Sequence, residues 1–317
     1  MSISRRCFLT AAGSAAVLAT ATGQAALLSK REAKKPVAKP APNVPLQPWD
    51  RPLVGSQLYG WGQYCQRAGK PVDHDEIFAA LKIAGYDYAE GTLDLVDHAA
   101  NAKFSERLRY HGLMPVSLYT GGEFHIVGRA SRTAHWIIEA AKAAKKVGFE
   151  TIVCNPDAVG RDKTDLELAI QASALAELGQ ELNRAGMKLG LHQHTPEFRN
   201  HAHEFHETFR QTRSKEVGFC IDTHWLYRGG VMPLDALKQY GDRVCAWHLR
   251  QSRGGIWWED LDDGDIDYLA LVTRAQEQKI PLRLTVELAL EEGTLISRDA
   301  ATNHVRSRLW VKRMFGV

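Results

Sequence analysis

The chain has 317 residues, of which 44% are hydrophobic and 24% are charged, and this composition is ordinary for a globular protein. Its length allows either two domains or a single large α/β barrel. The formal net charge of +3 is small, and the excess lies near the amino terminus, so the sequence predicts no basic face that would bind nucleic acid.

Residues 1–25 match the layout of a twin-arginine export signal. Arg5 and Arg6 precede Phe8 and Leu9, and a short apolar stretch rich in Ala, Gly and Thr follows. This stretch is too short and too weakly apolar to predict a permanent membrane helix, so we expect no stable membrane anchor. We expect the twin-arginine export machinery to carry the folded chain to the periplasm.

Residues 26–52 are predicted to form an extended linker. The segment is rich in lysine, and residues 34–52 hold half of all the prolines in the chain. Prolines at this density favour a polyproline-like conformation over a packed element. The folded domain is therefore predicted to occupy residues 53–317.

Beyond the linker, short apolar runs alternate with helical patterns, and several of these patterns end at a glycine, as a left-handed helix cap requires. In chain order, the eight predicted strands are PLVGSQLY, YDYAEG, MPVSLYTGG, ETIVCNP, MKLGLHQH, VGFCIDTHW, RVCAWHLR and LRLTVELAL. Strands that alternate with helices predict a parallel sheet, and eight such units in about 260 residues predict a (β/α)8 TIM barrel. A doubly wound open sheet is the alternative, but no glycine-rich dinucleotide motif follows the first strand.

Side chains at the carboxyl ends of the strands of such a barrel face its active site. The first four predicted strands end mainly in aromatic and amide side chains, whereas the last four end in imidazoles and carboxylates. In chain order, these strand-end residues are Tyr59 and Trp61, Glu90, Tyr119, Asn155, His192 and His194, Asp222 and His224, His248 and Arg250, and Glu287. Buried carboxylates resist desolvation unless a cation neutralises them, so the last four strands predict a divalent metal site. Two carboxylates with one or two imidazoles suit Mn²⁺, Zn²⁺, Co²⁺ or Fe²⁺.

The stretches GYDYAEG, LGLHQHTPEF, CIDTHWLYRGG, AWHLRQ, DDGDIDY and LTVEL occur in an order that resembles the xylose isomerase-like TIM-barrel superfamily. This is the sugar phosphate isomerase/epimerase group, which also includes inosose dehydratase and endonuclease IV. The resemblance spans residues 53–290 and implies a divalent metal held by residues from strands 5 to 8. Carried over to this sequence, these ligands are His192, Asp222, His248 and Glu287.

The sequence departs from the superfamily pattern in two places. The usual glutamate of strand 5 aligns with His192, which leaves His192, His194 and Glu197 as alternatives for the ligand from that strand. The usual Lys-Asp pair after the strand 7 histidine is Arg250 and Gln251, so any role of that lysine as a base is lost. Arg250 would instead be a fixed cation that holds a substrate oxygen or carboxylate.

Each predicted ligand also has a structural interpretation. Asp222 alone would suit a helix N-cap, and His248 alone would suit a satisfied core histidine. Glu287 lies in an apolar strand, where an ionisable group is rarely buried without a partner. The three residues together therefore favour a metal site. The histidines of NHAHEFHE are interpreted as the solvated start of a helix, and the Trp pair of GGIWWEDLDDGDIDY either stacks on a sugar or packs on the barrel rim.

The resemblance implies a metal-dependent sugar isomerase or epimerase that acts on a small carbohydrate through an enediolate intermediate. Glu90, His194 and Glu197 are the candidate acids and bases. Loss of an oxygen from the same intermediate would make the protein a keto-sugar dehydratase or lyase. A non-catalytic carbohydrate-binding barrel is the third possibility. An endonuclease IV-like enzyme is disfavoured by the predicted export, the near-neutral charge and the small number of additional His and Glu ligands.

Overall fold

The computed structural model describes residues 51–317. The predicted export signal and nearly all of the predicted linker lie outside the described residues. Among residues 51–317, no helix is both long enough and apolar enough to cross a membrane.

Within residues 51–317, eight parallel strands close into a barrel, which confirms the predicted fold. In chain order, the barrel strands are β1 (Leu53–Gln57), β2 (Tyr88–Thr92), β3 (Ser117–Gly122), β4 (Thr151–Pro156), β5 (Lys188–Leu191), β6 (Gly218–Asp222), β7 (Val244–Leu249) and β10 (Arg283–Val286). Each strand pairs with its neighbour in the chain, and β10 closes the barrel against β1. Two short strands, β8 (Ser252–Arg253) and β9 (Ile256–Trp257), form an antiparallel hairpin after β7.

The helices lie in the connections between the strands. In chain order they are α1 (Tyr59–Arg67), α2 (His74–Ala84), α3 (His98–Tyr110), α4 (Arg129–Lys146), α5 (Asp165–Arg184), α6 (Arg199–Gln211), α7 (Thr223–Arg228), α8 (Pro233–Tyr240), α9 (Tyr268–Glu277) and α10 (Ala300–Phe315). Two 3₁₀ helices span Thr195–Phe198 and Gly241–Arg243. Helix α2 shows the local rules that set these bounds, because the Asp73 side chain caps its first turn and Gly85 ends it with φ of 87°.

The strands are apolar on both faces because helices cover the outside of the barrel and side chains fill its inside. The inner layer around Val153, Cys220 and Ala246 is fully or almost fully buried. Because side chains alternate between the two faces of a strand, Asp222 and His248 lie on the same face as Cys220 and Ala246, one layer nearer the carboxyl ends. A small apolar floor therefore lies beneath the polar strand ends and separates them from the core below.

Candidate metal centre and active site

Four of the predicted site residues come together at the carboxyl ends of β5, β6, β7 and β10. These are His192, Asp222, His248 and Glu287, which we call the four-residue cluster, and each offers one ligand atom within 4.8 Å of the others. The strand register explains why they meet. Asp222 pairs with His248 across β6 and β7, and Thr285, two residues before Glu287, pairs with His248 across β7 and β10.

Two short contacts link the members of the cluster in pairs. Nε2 of His192 lies 3.3 Å from Oδ2 of Asp222, and Nδ1 of His248 lies 3.0 Å from Oε2 of Glu287. The centroids of the two imidazole rings are 5.0 Å apart. The side chains are at most 2% exposed except for Glu287, which is 11% exposed, so the cluster opens toward solvent on the Glu287 side.

Asp222 combines the two roles that its sequence position suggested. Its Oδ1 accepts hydrogen bonds from the backbone N–H groups of His224 and Trp225, at 2.9 and 2.8 Å, and so caps helix α7. Its Oδ2 faces His192 in the cluster. The cap fixes the carboxylate plane, so the start of α7 orients one of the acidic side chains of the cluster.

Arg250 places a buried cation beside the two acidic members of the cluster. Its guanidinium nitrogens lie 3.7 Å from Oδ2 of Asp222 and 3.8 Å from Oε1 of Glu287, within ion-pair range but beyond hydrogen-bond distance. The guanidinium carbon lies 3.8 Å from the ring centroid of Trp257 and 5.2 Å from that of Trp225. The aromatic rings hold the cation by its flat faces and leave its N–H edge directed at the cluster.

This cation controls the ionisation of the neighbouring carboxyl groups. Burial opposes the charge of both groups, but the guanidinium of Arg250 and the adjacent imidazoles outweigh it. The pKa values of Asp222 and Glu287 therefore both lie well below their usual ranges. Both side chains are carboxylates at neutral pH, which is the form that binds a cation.

Glu90 lies on the opposite side of His248 from Glu287. Its Oε1 is 2.9 Å from Nε2 of His248, and its Oε2 accepts a hydrogen bond of 2.6 Å from Oγ of Ser117. Glu90 is 0% exposed. The structure thus brings Glu90 to the cluster, but it places the carboxylate behind a ring rather than at the open side.

His194 and Glu197 occupy the loop after β5. The His194 ring lies edge-on to His192 and Trp225, with centroid distances of 4.8 and 5.1 Å. Oε2 of Glu197 accepts a hydrogen bond of 2.7 Å from the backbone N–H of His194, and the carboxyl group is not part of the four-residue cluster. Burial and the nearby Glu204 raise the pKa of Glu197 to about 7. His194 therefore flanks the cluster, whereas Glu197 shapes the loop that carries it.

Comparison with known proteins places the chain in a family. The family described as "Xylose isomerase-like TIM barrel" matches residues 78–314. The chain belongs to this family. No curated protein sequence matches it.

Solved structures of similar fold include several sugar isomerases and epimerases. A sugar phosphate isomerase/epimerase from Parabacteroides distasonis ATCC 8503 has 18% identity and a TM-score of 0.66, covering 86% of this chain and 98% of its own. An L-ribulose 3-epimerase has 17% identity and a TM-score of 0.64, with coverages of 84% and 95%. The 3-keto-D-glucoside 4-epimerase from E. coli has 17% identity and a TM-score of 0.60, with coverages of 83% and 100%. At these identities the likeness shows the fold alone.

The four-residue cluster of this xylose isomerase-like barrel suits a divalent cation. Imidazole nitrogens and carboxylate oxygens are ordinary ligands of Mn²⁺, Fe²⁺, Co²⁺ and Zn²⁺. Bonds of about 2.1 Å place opposite ligands about 4.2 Å apart, and the widest separation in the cluster is 4.8 Å. Two carboxylates would neutralise the charge of a divalent ion. His192, Asp222, His248 and Glu287 would therefore hold the ion.

The sequence does not predict several of the contacts that surround the four-residue cluster. Ser117, a small polar residue inside a strand, carried no signal, yet it binds Glu90. The sequence allows Trp257 either to stack on a sugar or to pack on the barrel rim. In the structure it is packed, and its Nε1–H donates to Nδ1 of His224 at 2.7 Å. Burial and the Arg250 cation lower the pKa of His224 to about 4, so this imidazole is neutral and accepts the bond.

Proposed function

We propose that the chain is an exported, metal-dependent sugar isomerase or epimerase that works through an enediolate intermediate. The observation that carries the proposal is the four-residue cluster beside Arg250, at the end of the barrel where such enzymes bind substrate. Membership of the xylose isomerase-like family and the names of the similar solved structures support it. The twin-arginine pattern supports export, and export favours a free sugar over a phosphorylated one.

A divalent cation in the cluster would supply Lewis-acid polarisation of a sugar carbonyl. The protein side chains supply the rest of the chemistry. Arg250 directs N–H groups toward the same place, so it can orient a substrate oxygen and stabilise the negative charge that develops there. Its stacking on Trp257 fixes this orientation before substrate arrives, and the apolar floor beneath the cluster excludes water from below.

Proton transfer needs a group that can reach the substrate. Of the three predicted candidates, Glu90 and Glu197 are fully or almost fully buried, whereas His194 is partly exposed beside the cluster. We therefore assign His194 to proton transfer at the carbon next to the carbonyl. Return of the proton by His194 to the neighbouring carbon gives an isomer, and delivery of a solvent proton to the other face of the first carbon gives an epimer.

A dehydratase or lyase acting on a keto-sugar is the second candidate. The position of His194 favours it, because a protonated imidazole can also donate its proton to a leaving oxygen. A dehydratase is among the similar solved structures as well. The two candidates share the proton abstraction and differ only in what leaves the intermediate.

Metal analysis and NMR test the proposal together. We expect protein purified without chelator to contain about one divalent ion per chain by elemental analysis. The same preparation is then incubated in D₂O with simple ketoses and with 3-keto-glycosides, and proton NMR follows the sugars. Deuterium next to the carbonyl, with an epimer or isomer as product, supports the first candidate, and an unsaturated product supports the second. A metal-free protein that binds sugar without exchange would be a binding barrel and would contradict both.

Export is tested separately from catalysis. We expect the full chain, expressed in a bacterium with a working twin-arginine system, to accumulate in the periplasmic fraction. The double substitution Arg5→Lys and Arg6→Lys keeps the charge but removes the twin arginines, so it should retain the protein in the cytoplasm. An unchanged distribution of the variant between the two fractions would contradict the export signal.

A further inference from the structure

We propose that Glu90 is a positioning residue that fixes the ring of His248 so that Nδ1 is directed at the cation site. This inference rests on the proposed metal-dependent function, and it assigns Glu90 a role other than the acid–base role suggested by the sequence. The geometry that carries it is the placement of His248 between two carboxylates.

The two nitrogens of His248 face different partners. Nδ1 lies 3.0 Å from Glu287, on the cluster side, and Nε2 lies 2.9 Å from Glu90, on the opposite side. A neutral imidazole carries its proton on one nitrogen only, and the other nitrogen is the one that can bind a metal. Nδ1 can therefore serve as a ligand only if the proton is on Nε2. A carboxylate beside Nε2 stabilises that tautomer.

Burial and its contacts fix the side chain of Glu90 in this position. Its second oxygen accepts the 2.6 Å hydrogen bond from Ser117, on the neighbouring strand, and the whole residue is buried in β2. Oε1 of Glu90 and Nε2 of His248 face each other at 2.9 Å, and neither atom makes a hydrogen bond of regular geometry within residues 51–317. A carboxylate clamped in this way cannot move to a substrate at the open side of the cluster. It can hold the ring against rotation.

The position in the barrel explains how a residue of strand 2 reaches a ligand of strand 7. The interior of an eight-stranded barrel is narrow enough for side chains from opposite walls to touch. The side chains beneath the cluster are small, which leaves room for the Glu90 side chain to extend across the barrel interior. They belong to Val153, Cys220 and Ala246. The ligand on β7 is thus supported from the far wall as well as from its neighbours.

The test compares metal affinity with turnover in matched variants. Glu90→Gln removes the charge at nearly constant volume, and Glu90→Asp keeps the charge but withdraws it from Nε2 by one methylene. We expect the Kd of the chelator-treated protein for Mn²⁺, measured by calorimetric titration, to rise about 10- to 100-fold in both variants, as is usual when a partner behind a metal-binding histidine is lost. Glu139→Gln, an exposed carboxylate on α4, is the control and should leave the Kd unchanged.

A spectroscopic readout separates positioning from a general loss of packing. In Co²⁺-loaded protein, the ring N–H proton of a ligating histidine gives a paramagnetically shifted signal that exchanges with solvent. We expect the His248 signal in the parent protein, and we expect it to move or to be lost in Glu90→Gln. Ser117→Ala should move it in the same direction by a smaller amount, because the carboxylate remains but loses its clamp.

The outcomes distinguish this inference from the proposed function. An unchanged Kd and an unchanged His248 signal in Glu90→Gln, with turnover lost, would overturn the positioning role and make Glu90 a catalytic acid or base. A parent protein that binds Mn²⁺ in the expected manner but converts no sugar would contradict the proposed function and leave the role of Glu90 intact. A parent that binds no divalent ion would contradict both. If Glu90→Gln fails to fold, Glu90→Asp and Ser117→Ala still decide the question.

Discussion

The two histidines of the cluster are held in different ways. His248 lies inside β7, with a carboxylate near each ring nitrogen. His192 follows the end of β5, with Asp222 near one nitrogen and no hydrogen-bond partner within residues 51–317 for the other. The strand 7 side of the site is therefore fixed by polar contacts across the barrel, whereas the strand 5 side depends on a loop and on aromatic neighbours. A metal site can be rigid on one side and adaptable on the other.

Removal of an acidic ligand should have the largest effect, because each carboxylate supplies half of the negative charge that would offset a divalent ion. Asp222→Ala or Glu287→Ala leaves one carboxylate, already paired with Arg250, to offset the two charges of the ion in a buried site. We expect Mn²⁺ affinity to fall by about 3–5 kcal/mol, or roughly 100- to 4,000-fold in Kd. Calorimetric titration of folded, metal-free protein measures it. Asp235→Ala, on the exposed face of α8, is the control. A folded variant with parental affinity would contradict the metal site itself.

The loop after β5 contains Glu197, and this residue should make the stability of the protein depend on pH. The pKa of Glu197 is raised to about 7 in the folded protein, above the ordinary value of 4.5. The folded state then binds more protons than the unfolded state between these values, so stability falls as pH rises from about 4.5 to about 7 and stays lower above it. Glu197→Gln should abolish this loss, which we expect to be about 2–3 kcal/mol.

Denaturant unfolding of metal-free protein at pH 5 and pH 8 measures the effect. The parent should lose more stability between the two pH values than Glu197→Gln does, and the amide oxygen of the variant can still accept the bond from the His194 backbone. Glu139→Gln serves as the exposed control. Equal pH dependence in parent and variant would show that the buried carboxyl group of Glu197 does not have the raised pKa.

Matched substitutions of the two histidines test the comparison directly. His248→Gln removes a ligand and also leaves Glu90 without its nearest partner, whereas His192→Gln removes a ligand with one main contact. We expect the Kd for Mn²⁺ to rise about 100-fold in His248→Gln and about 10-fold in His192→Gln. Titration of the two variants side by side gives the ratio. A larger rise of the Kd in His192→Gln than in His248→Gln would show that the strand 5 side of the site is the more rigid one.

The smallest expected effect concerns the aromatic support of Arg250. Trp257→Phe keeps a ring beneath the guanidinium but removes the N–H donor to His224, so it should cost about 1 kcal/mol of stability. KM for the active sugar should rise a few-fold with little change in kcat, since Arg250 remains in place but is less firmly oriented. Trp136→Phe, exposed on α4, is the control. A large loss of kcat would show that Trp257 itself touches the reacting atoms.

Strand order and side-chain alternation made the barrel and the four-residue cluster predictable from the sequence. A parallel barrel brings the carboxyl ends of its strands together whatever the loops do. Each ligand candidate lies at or next to such an end: His192, Asp222, His248 and Glu287. The depth of Glu90 could not be predicted, because it depends on how far each strand is shifted relative to its neighbours. The direction of Glu197 could not be predicted either. A single 3₁₀ turn, Thr195–Phe198, directs its carboxylate back to the His194 backbone.

Contacts between distant segments of the chain could not be predicted from the sequence either. Ser117 and Glu90 lie on adjacent strands, but nothing in the stretch VSLY distinguishes this serine from any other small residue of a barrel strand. Trp257 reaches Arg250 only because the β8–β9 hairpin folds over the end of β7. Such contacts arise from the packing of loops onto a finished barrel, and spacing along the chain does not encode them.

The position of Arg250 between Asp222 and Glu287 has a consequence for how the protein is loaded. The guanidinium acts as an internal counter-ion, so the four-residue cluster can stay assembled without a bound metal. An arriving ion must share the two carboxylates with a charge of its own sign, which lowers its affinity below what the same ligands would give alone. The barrel could therefore fold first and bind a divalent ion afterwards.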